Sequence, residues 1–192
     1  MITIYDNVFS YDYSCFIWDF VRGSLYKVGW RDDTIPEHSE YLCLHSEYTE
    51  VDQKRLQIRE KLDASPAGEK IHNKTLAKMI VNLSIPGQTH FEHTHNMDGA
   101  VLSAPDPERY YNVCLYYPAL EWKREWGGET MFYSADNLEL ERAVEYRPNR
   151  LVHFTGEHSH SVRPATLHAP FYRFTISTFF LPPGGRRPFT EV

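Results

Sequence analysis

From residue 74 onward the chain is a succession of short strand-like segments, and that succession restricts the fold more than any other feature. β-Branched and aromatic residues gather at 75–85, 111–117, 130–133, 142–146, 150–154, 159–163 and 171–181. Turn-forming groups separate them: Asp98-Gly99, Pro105-Asp106-Pro107, Trp126-Gly127-Gly128, Pro148-Asn149 and Ala169-Pro170. Many short strands with turns between them pack as a sandwich or a barrel. The first 74 residues read differently. Residues 1–8 alternate weakly, as an edge strand does. Ser10 is placed to cap a helix running to about Arg22, with Phe16, Ile17, Phe20 and Val21 as its inward stripe and Gly23 near its end. Residues 26–46 show no clear period and read as loop with a short strand. Residues 50–62 are rich in good helix formers, and Ser65-Pro66-Ala67-Gly68 ends that second helix. The expectation is a mainly β chain with supporting helices, folded as one domain over residues 1–192. Residues 1–74 would support a jelly-roll barrel core at 75–181.

Composition narrows the classes. The chain has 192 residues, 42% hydrophobic and 24% charged, enough for one sizeable core. A formal net charge of -6 argues against a broad phosphate-binding surface and so against nucleic acid as partner. Cys15, Cys43 and Cys114 have no disulfide-like or zinc-like spacing and read as reduced thiols. The N-terminal residues lack the pattern of a signal peptide, and no run is apolar enough to span a bilayer. Together these lead to the expectation of a soluble, cytoplasmic protein.

The chemistry concentrates in Pro86-Gly87-Gln88-Thr89-His90-Phe91-Glu92-His93-Thr94-His95-Asn96. In an extended segment His93 and His95 point the same way and can grip one ion. Imidazole suits zinc, iron, copper or nickel. A further ligand must come from far along the chain, and Gly156-Glu157-His158-Ser159-His160-Ser161-Val162-Arg163-Pro164 offers it. His158 and His160 share a face, so spacing alone does not choose between them. Arg173, Thr175 and Ser177 share a strand face among apolar neighbours, and a guanidinium pointing into a barrel requires an anion. That anion is either a buried acid such as Glu129 or a carboxylate ligand.

In combination these motifs resemble the 2-oxoglutarate/Fe(II) dioxygenases of the prolyl 4-hydroxylase-like group, particularly small phage-borne or marine microbial members. The resemblance rests on Pro86-Gly87, His93-Thr94-His95, Leu115-Tyr116-Tyr117 with Trp122 soon after, and Gly127-Gly128-Glu129. It continues through Asn149-Arg150-Leu151-Val152-His153-Phe154, His160-Ser161-Val162-Arg163 and Tyr172-Arg173-Phe174-Thr175. It covers about residues 75–181. It implies a double-stranded β-helix (a cupin-like barrel) holding Fe(II) through His93, His95 and His160. It also implies that 2-oxoglutarate, the cosubstrate, is held at its far carboxylate by Arg173 and Tyr117. Dioxygen and a peptide, protein or small-molecule substrate complete the reaction, which releases succinate and CO2. A peptidyl residue, proline foremost, or a free amino acid is the implied substrate.

One departure from the family pattern stands out. The second metal-binding position, a carboxylate in the family, is His95 here. Three imidazoles leave the metal one positive charge higher than two imidazoles and a carboxylate do. Either His95 is a ligand, or Asp98 or Glu92 supplies the carboxylate, or the site is degenerate. Arg163, Trp122 and Trp126 are candidate substrate contacts, with rim placement and loop anchoring as the alternatives. Residues 101–108 form an insert that could act as a lid. Two other classes remain open: a cupin-like three-histidine metalloenzyme that uses no 2-oxoglutarate, and a non-catalytic binding module on a degenerate barrel.

Overall fold

The computed structural model describes residues 1–30, 41–88, 90–95, 110–136 and 139–182. Asp98, the insert at 101–108, the turns at 98–99 and 105–107, and the side chain of Cys43 lie outside the described residues. In chain order the elements are β1 (Thr3–Tyr5), α1 (Tyr11–Arg22), β2 (Lys27–Trp30), β3 (Tyr41–Glu47), α2 (Glu50–Leu56), α3 (Ile58–Asp63) and α4 (Gly68–Ile71). Then follow β4 (Leu76–Ser84), β5 (Asn112–Tyr117), a 3-10 turn (Arg124–Trp126), β6 (Thr130–Tyr133), β7 (Leu140–Val144), β8 (Arg150–Thr155), β9 (His160–Val162) and β10 (Arg173–Phe180).

The strands form a seven-stranded antiparallel sheet, ordered β1-β8-β5-β10-β4-β3-β2, and a three-stranded sheet, ordered β7-β6-β9. Short bridges at His93–His160 and Gly127–Ala165 extend the smaller sheet. This is the jelly-roll barrel expected from the strand succession, and β1 is an edge strand as its weak pattern implied.

Register decides which residues face the barrel interior. Arg173, Thr175 and Ser177 stand opposite Ser84, Asn82 and Ile80 on β4. Ser177 also faces Leu115, which shares its face of β5 with Val113 and Tyr117. Every residue of β10 is buried, because its other face is covered too. There Trp18 of α1 meets Phe174 edge-on with ring centroids 5.5 Å apart. One core cluster runs from Ile17 and Val21 through Leu56, Leu62 and Ile71 to Val113, Phe154 and Phe180. Each such side chain contributes roughly 2 kcal/mol on burial, so helices and barrel hold one another together.

Several local expectations need correction. Ser10 does cap α1, its hydroxyl accepting from the Tyr13 N–H, and Gly23 does end it. The buried stripe, however, is Tyr13, Ile17 and Val21 with Ser14 and Trp18 beside it. Phe16 is exposed and Phe20 lies at the margin, packed edge-on against Tyr48. The single helix at 50–62 is two helices, broken at Gln57, whose φ is 51°. Leu56 and Ile58 are both almost fully buried. Two residues apart on one helix they would point in nearly opposite directions, so the chain breaks to bury both. Residues 26–46 hold two strands, an edge pair whose Val28 faces solvent and gives no period. Strand β7 begins earlier than the pattern suggested, because all but its last residue is exposed.

Candidate metal and cosubstrate site

Two clusters of side chains face into the barrel. The first is the histidine triad. Rings of His93 and His160 lie 4.4 Å apart, His95 and His160 4.8 Å, and His93 and His95 4.9 Å between centroids. One ligand nitrogen from each falls within 4.8 Å of the others. Nitrogens sharing a metal at about 2.1 Å are at most about 4.2 Å apart, so a small rotation of the rings suffices. Nδ1 of His93 bonds the Phe91 carbonyl at 3.1 Å, and Nδ1 of His160 bonds the His158 carbonyl at 2.9 Å. With Nδ1–H donating, the lone pair of each ring resides on Nε2, the atom a metal needs.

The backbone brings these rings together. His93 and His160 exchange N–H to carbonyl bonds, both 3.0 Å, as an antiparallel pair. His95 donates its N–H to the Gly156 carbonyl at 2.7 Å. A Cβ on Gly156 would lie 2.3 Å from the His95 carbonyl oxygen, so only glycine permits this approach. Phe179 stands edge-on to His95 at 4.9 Å, and Phe154 and Phe132 flank His160. Burial, reinforced by the neighbouring imidazoles, holds the pKa of His95 and His160 well below the usual range. Both rings are therefore neutral at physiological pH, as metal ligands must be.

The other sequence candidates at this end sort cleanly. His158 Nε2 bonds the N-terminal ammonium at 3.0 Å, away from the triad. Glu92 accepts a hydrogen bond from the Ser159 hydroxyl and contributes nothing to the histidine cluster. The donor set is thus three imidazoles among the described residues, and it fits a divalent transition metal.

The second cluster surrounds Arg173, only 1% exposed. Its Nε donates to the Gly128 carbonyl at 2.8 Å, and its Nη2 to the Thr130 hydroxyl at 3.2 Å. Its guanidinium lies 5.0 Å from the Tyr146 ring centroid and 5.6 Å from that of Tyr117. The Tyr117 and Tyr146 rings stack at 4.5 Å, and the Tyr117 hydroxyl bonds Thr130 at 2.7 Å. Among the described residues no carboxylate pairs with Arg173. Glu129, the alternative anion, pairs with the exposed Arg163 instead, at 3.4 Å. Burial lowers the pKa of Arg173, yet it starts so high that the cation persists. Gly128, with φ 83°, lets the turn come within contact of Arg173; a Cβ there would sit 3.2 Å from Arg173 Cδ.

Between the two clusters His90 bonds Ser84, the residue opposite Arg173, at 2.6 Å. Burial first, then Arg173 and His93, push its pKa down to about 3. The two tryptophans are anchored. Trp122 donates its indole N–H to Gly127 and packs on Tyr146 at 4.6 Å, while Trp126 is buried with Ala165 and Ala169. Thr130, Tyr146, Gly128 and Gly156 were not singled out from sequence. The two glycines carried a signal, since Gly128 lies within Gly127-Gly128-Glu129 and Gly156 opens the segment that holds His160.

The sequence pattern of the 2OG-Fe(II) oxygenase superfamily matches residues 79–181, more than half of the chain. The chain belongs to that family: it is a 2-oxoglutarate-dependent dioxygenase, with Fe(II) and 2-oxoglutarate as cofactor and cosubstrate. Its fold is that of solved prolyl hydroxylases. A Pseudomonas putida prolyl-4-hydroxylase matches with a TM-score of 0.62 at 17% identity, over 94% of this chain and 91% of that one. A Trichoplax adhaerens prolyl hydroxylase, solved with a hypoxia inducible factor peptide fragment, matches at 0.65 and 13%, over 95% and 84%. HygX from Streptomyces hygroscopicus, solved with nickel, 2-oxoglutarate and hygromycin B, matches at 0.65 and 11%, over 97% and 84%. Curated protein sequences give no match. Among the described residues no helix is long and apolar enough to cross a membrane.

Proposed function

We propose that this oxygenase hydroxylates a peptidyl residue, with proline the first candidate, using His93, His95 and His160 as its iron ligands. Arg173 and Tyr117 hold the far carboxylate of 2-oxoglutarate. All 192 residues are read as one oxygenase domain, which the shared core of helices and barrel supports. The observation that carries the reading is the pairing of two clusters inside one barrel: three imidazoles at one end and a buried Arg173, with no carboxylate paired to it among the described residues, at the other. A buried guanidinium that no carboxylate among the described residues hydrogen-bonds lowers its energy by binding one. This also favours the oxygenase over a cupin-like enzyme that dispenses with 2-oxoglutarate. A peptide substrate is supported by the Trichoplax neighbour and its bound fragment.

With iron, 2-oxoglutarate and dioxygen bound, the metal centre supplies the oxidation, in which 2-oxoglutarate becomes succinate and CO2 and one oxygen atom enters a substrate C–H bond. The residues do the rest. The His93 and His160 Nδ1–H bonds fix their rings, and Gly156 seats His95 against them. Phe132, Phe154 and Phe179 keep water from the triad, and Arg173 sets the orientation of the cosubstrate.

An anaerobic titration with Fe(II) and then 2-oxoglutarate tests the reading through the visible band of the chelate. The band is expected in the native protein and in His95→Asp, which restores the family's carboxylate, and not in Arg173→Ala at moderate cosubstrate. Iron without a band would return the lead to a three-histidine enzyme that does not use 2-oxoglutarate. A peptide panel followed by mass spectrometry for one added oxygen then tests the substrate class.

A further inference from the structure

The inward row that begins with Arg173 ends on a second cation. After Arg173, Thr175 and Ser177 comes Phe179, which stands opposite Lys78 on β4. Phe179 is six residues along β10 from Arg173, about 20 Å, so Lys78 lies at the other end of the barrel from the guanidinium. Its Nζ rests 4.8 Å from the Phe179 ring centroid and 5.1 Å from that of Tyr111. Both rings belong to the surroundings of His95. Phe179 stands edge-on to it at 4.9 Å, and Tyr111 donates its N–H to the His95 carbonyl at 3.2 Å. One aromatic layer therefore separates this ammonium from the triad, and its charge is among those that keep His95 neutral.

Lys78 has aromatic faces where an acid would be expected. Among the described residues no carboxylate forms an ion pair with it. Burial lowers its pKa more than Glu47, the exposed acid on β3, raises it. The pKa starts far above neutral, so the cation persists. The triad adds to the imbalance, because three neutral imidazoles bring no negative charge and Glu92 is turned to Ser159. One carboxylate of 2-oxoglutarate answers Arg173 and the other answers the metal, which leaves one charge of the metal and all of Lys78 unanswered. Lys78 is also exposed, so whatever enters at this end meets it.

We propose that Lys78 is a specificity-determining residue: it binds a carboxylate of the substrate, so that this oxygenase takes an acidic substrate. The carboxylate is either an Asp or Glu side chain of a peptide, close to the carbon that is oxidised, or the α-carboxylate of a free amino acid. This substrate class rests on the reading that 2-oxoglutarate lies between the triad and Arg173, which leaves the Lys78 side for substrate. An ammonium suits the task, since it is a point charge that accepts a carboxylate from several directions.

The test uses protein loaded anaerobically with Fe(II) and 2-oxoglutarate and two probe sets in equilibrium dialysis, read by mass spectrometry. One set is the free amino acids with their amides. The other is a randomised hexapeptide library with capped ends, scored for Asp over Asn and Glu over Gln among retained peptides. The set that responds identifies the source of the carboxylate. In the native protein one set should favour acid over amide about tenfold, the worth of a hydrogen bond between charged groups. Lys78→Met should abolish that preference, and Lys78→Arg should keep it to within about threefold. With no probe present, Lys78→Met should bind Fe(II) at least about twofold more tightly, because a cation beside the triad repels the metal. A lysine that merely packs on its two rings would leave Fe(II) affinity unchanged, and that result would overturn the proposal. So would a preference that survives Lys78→Met. Acid and amide retained alike in both sets, or not retained at all, would overturn it with no variant needed. A native protein that forms no chelate with 2-oxoglutarate would instead overturn the reading of the site beneath it.

Discussion

The two ends of the barrel reach their geometry by different routes. At the histidine end, irregular backbone does the placing: His93 and His160 pair as an isolated bridge, and His95 is drawn in by the Gly156 carbonyl. At the arginine end, regular strands β5, β6 and β10 carry Tyr117, Thr130 and Arg173, and side-chain hydrogen bonds set the geometry. The first end offers lone pairs to a cation, and the second offers only donors to an anion. A ligand with a metal-chelating head and an anionic tail is specified by the contrast itself. The difference also teaches where each end is vulnerable. Backbone placement fails through crowding, and side-chain placement fails through loss of a single hydrogen bond.

That contrast can be broken most forcefully at the metal. His160→Ala should lower Fe(II) affinity at least roughly a hundredfold and, because chelation needs the metal, remove 2-oxoglutarate binding as well. Calorimetry under anaerobic conditions checks it. Arg173→Ala should behave asymmetrically, weakening 2-oxoglutarate by a hundredfold or so while Fe(II) affinity stays within about twofold. If both variants lose both ligands, the ends are not independent.

The glycines sharpen the comparison. Gly156→Ala forces a methyl onto the His95 carbonyl and should cost about 1–3 kcal/mol in urea unfolding together with a loss of metal affinity. Gly128→Ala adds strain at a φ of 83° and presses on Arg173, so its effect should fall on 2-oxoglutarate affinity and leave iron binding alone.

His153 provides a control outside both ends. It pairs across the large sheet with Cys114, is buried, and has no hydrogen-bond partner for either ring nitrogen among the described residues. Burial first, then Lys74, Lys70 and the N-terminus, lower its pKa to about 4 from an ordinary 6.5. The unfolded chain takes up this proton near pH 6.5 while the folded chain resists until about pH 4, so stability falls as the pH drops through that window. The loss approaches about 3 kcal/mol, and His153→Phe should remove that share of the slope in urea melts between those pH values. The smallest effect belongs to Arg163→Ala. Its exposed pair with Glu129 is long, so stability should change by less than about 0.5 kcal/mol and both ligand affinities should hold, leaving any change to substrate KM.

Much of this was legible without coordinates. The strands at 130–133 and 111–117 follow from their β-branched and aromatic residues between turns, the Ser10 cap from short-range capping chemistry, and the shared face of His93 and His95 from their i, i+2 spacing, all of which the chain carries locally. The inward stripe of α1 was not, since Tyr13 is the more polar of Tyr13 and Phe16 and turns in where its hydroxyl finds the Leu56 carbonyl of α2. Nor was the break at Gln57, which exists to bury Leu56 and Ile58 together. Spacing alone did not choose His160 over His158, because alternation gives both residues the same face; the family resemblance pointed to His160, the residue that meets His93 and His95. By itself the sequence determined the kinds of groups present: imidazoles in pairs, a lone guanidinium on a buried strand, and strands enough to enclose them. The tertiary structure decided which of these meet, because convergence depends on bonds between residues some 65 positions apart, such as His93 with His160, that no local rule can register.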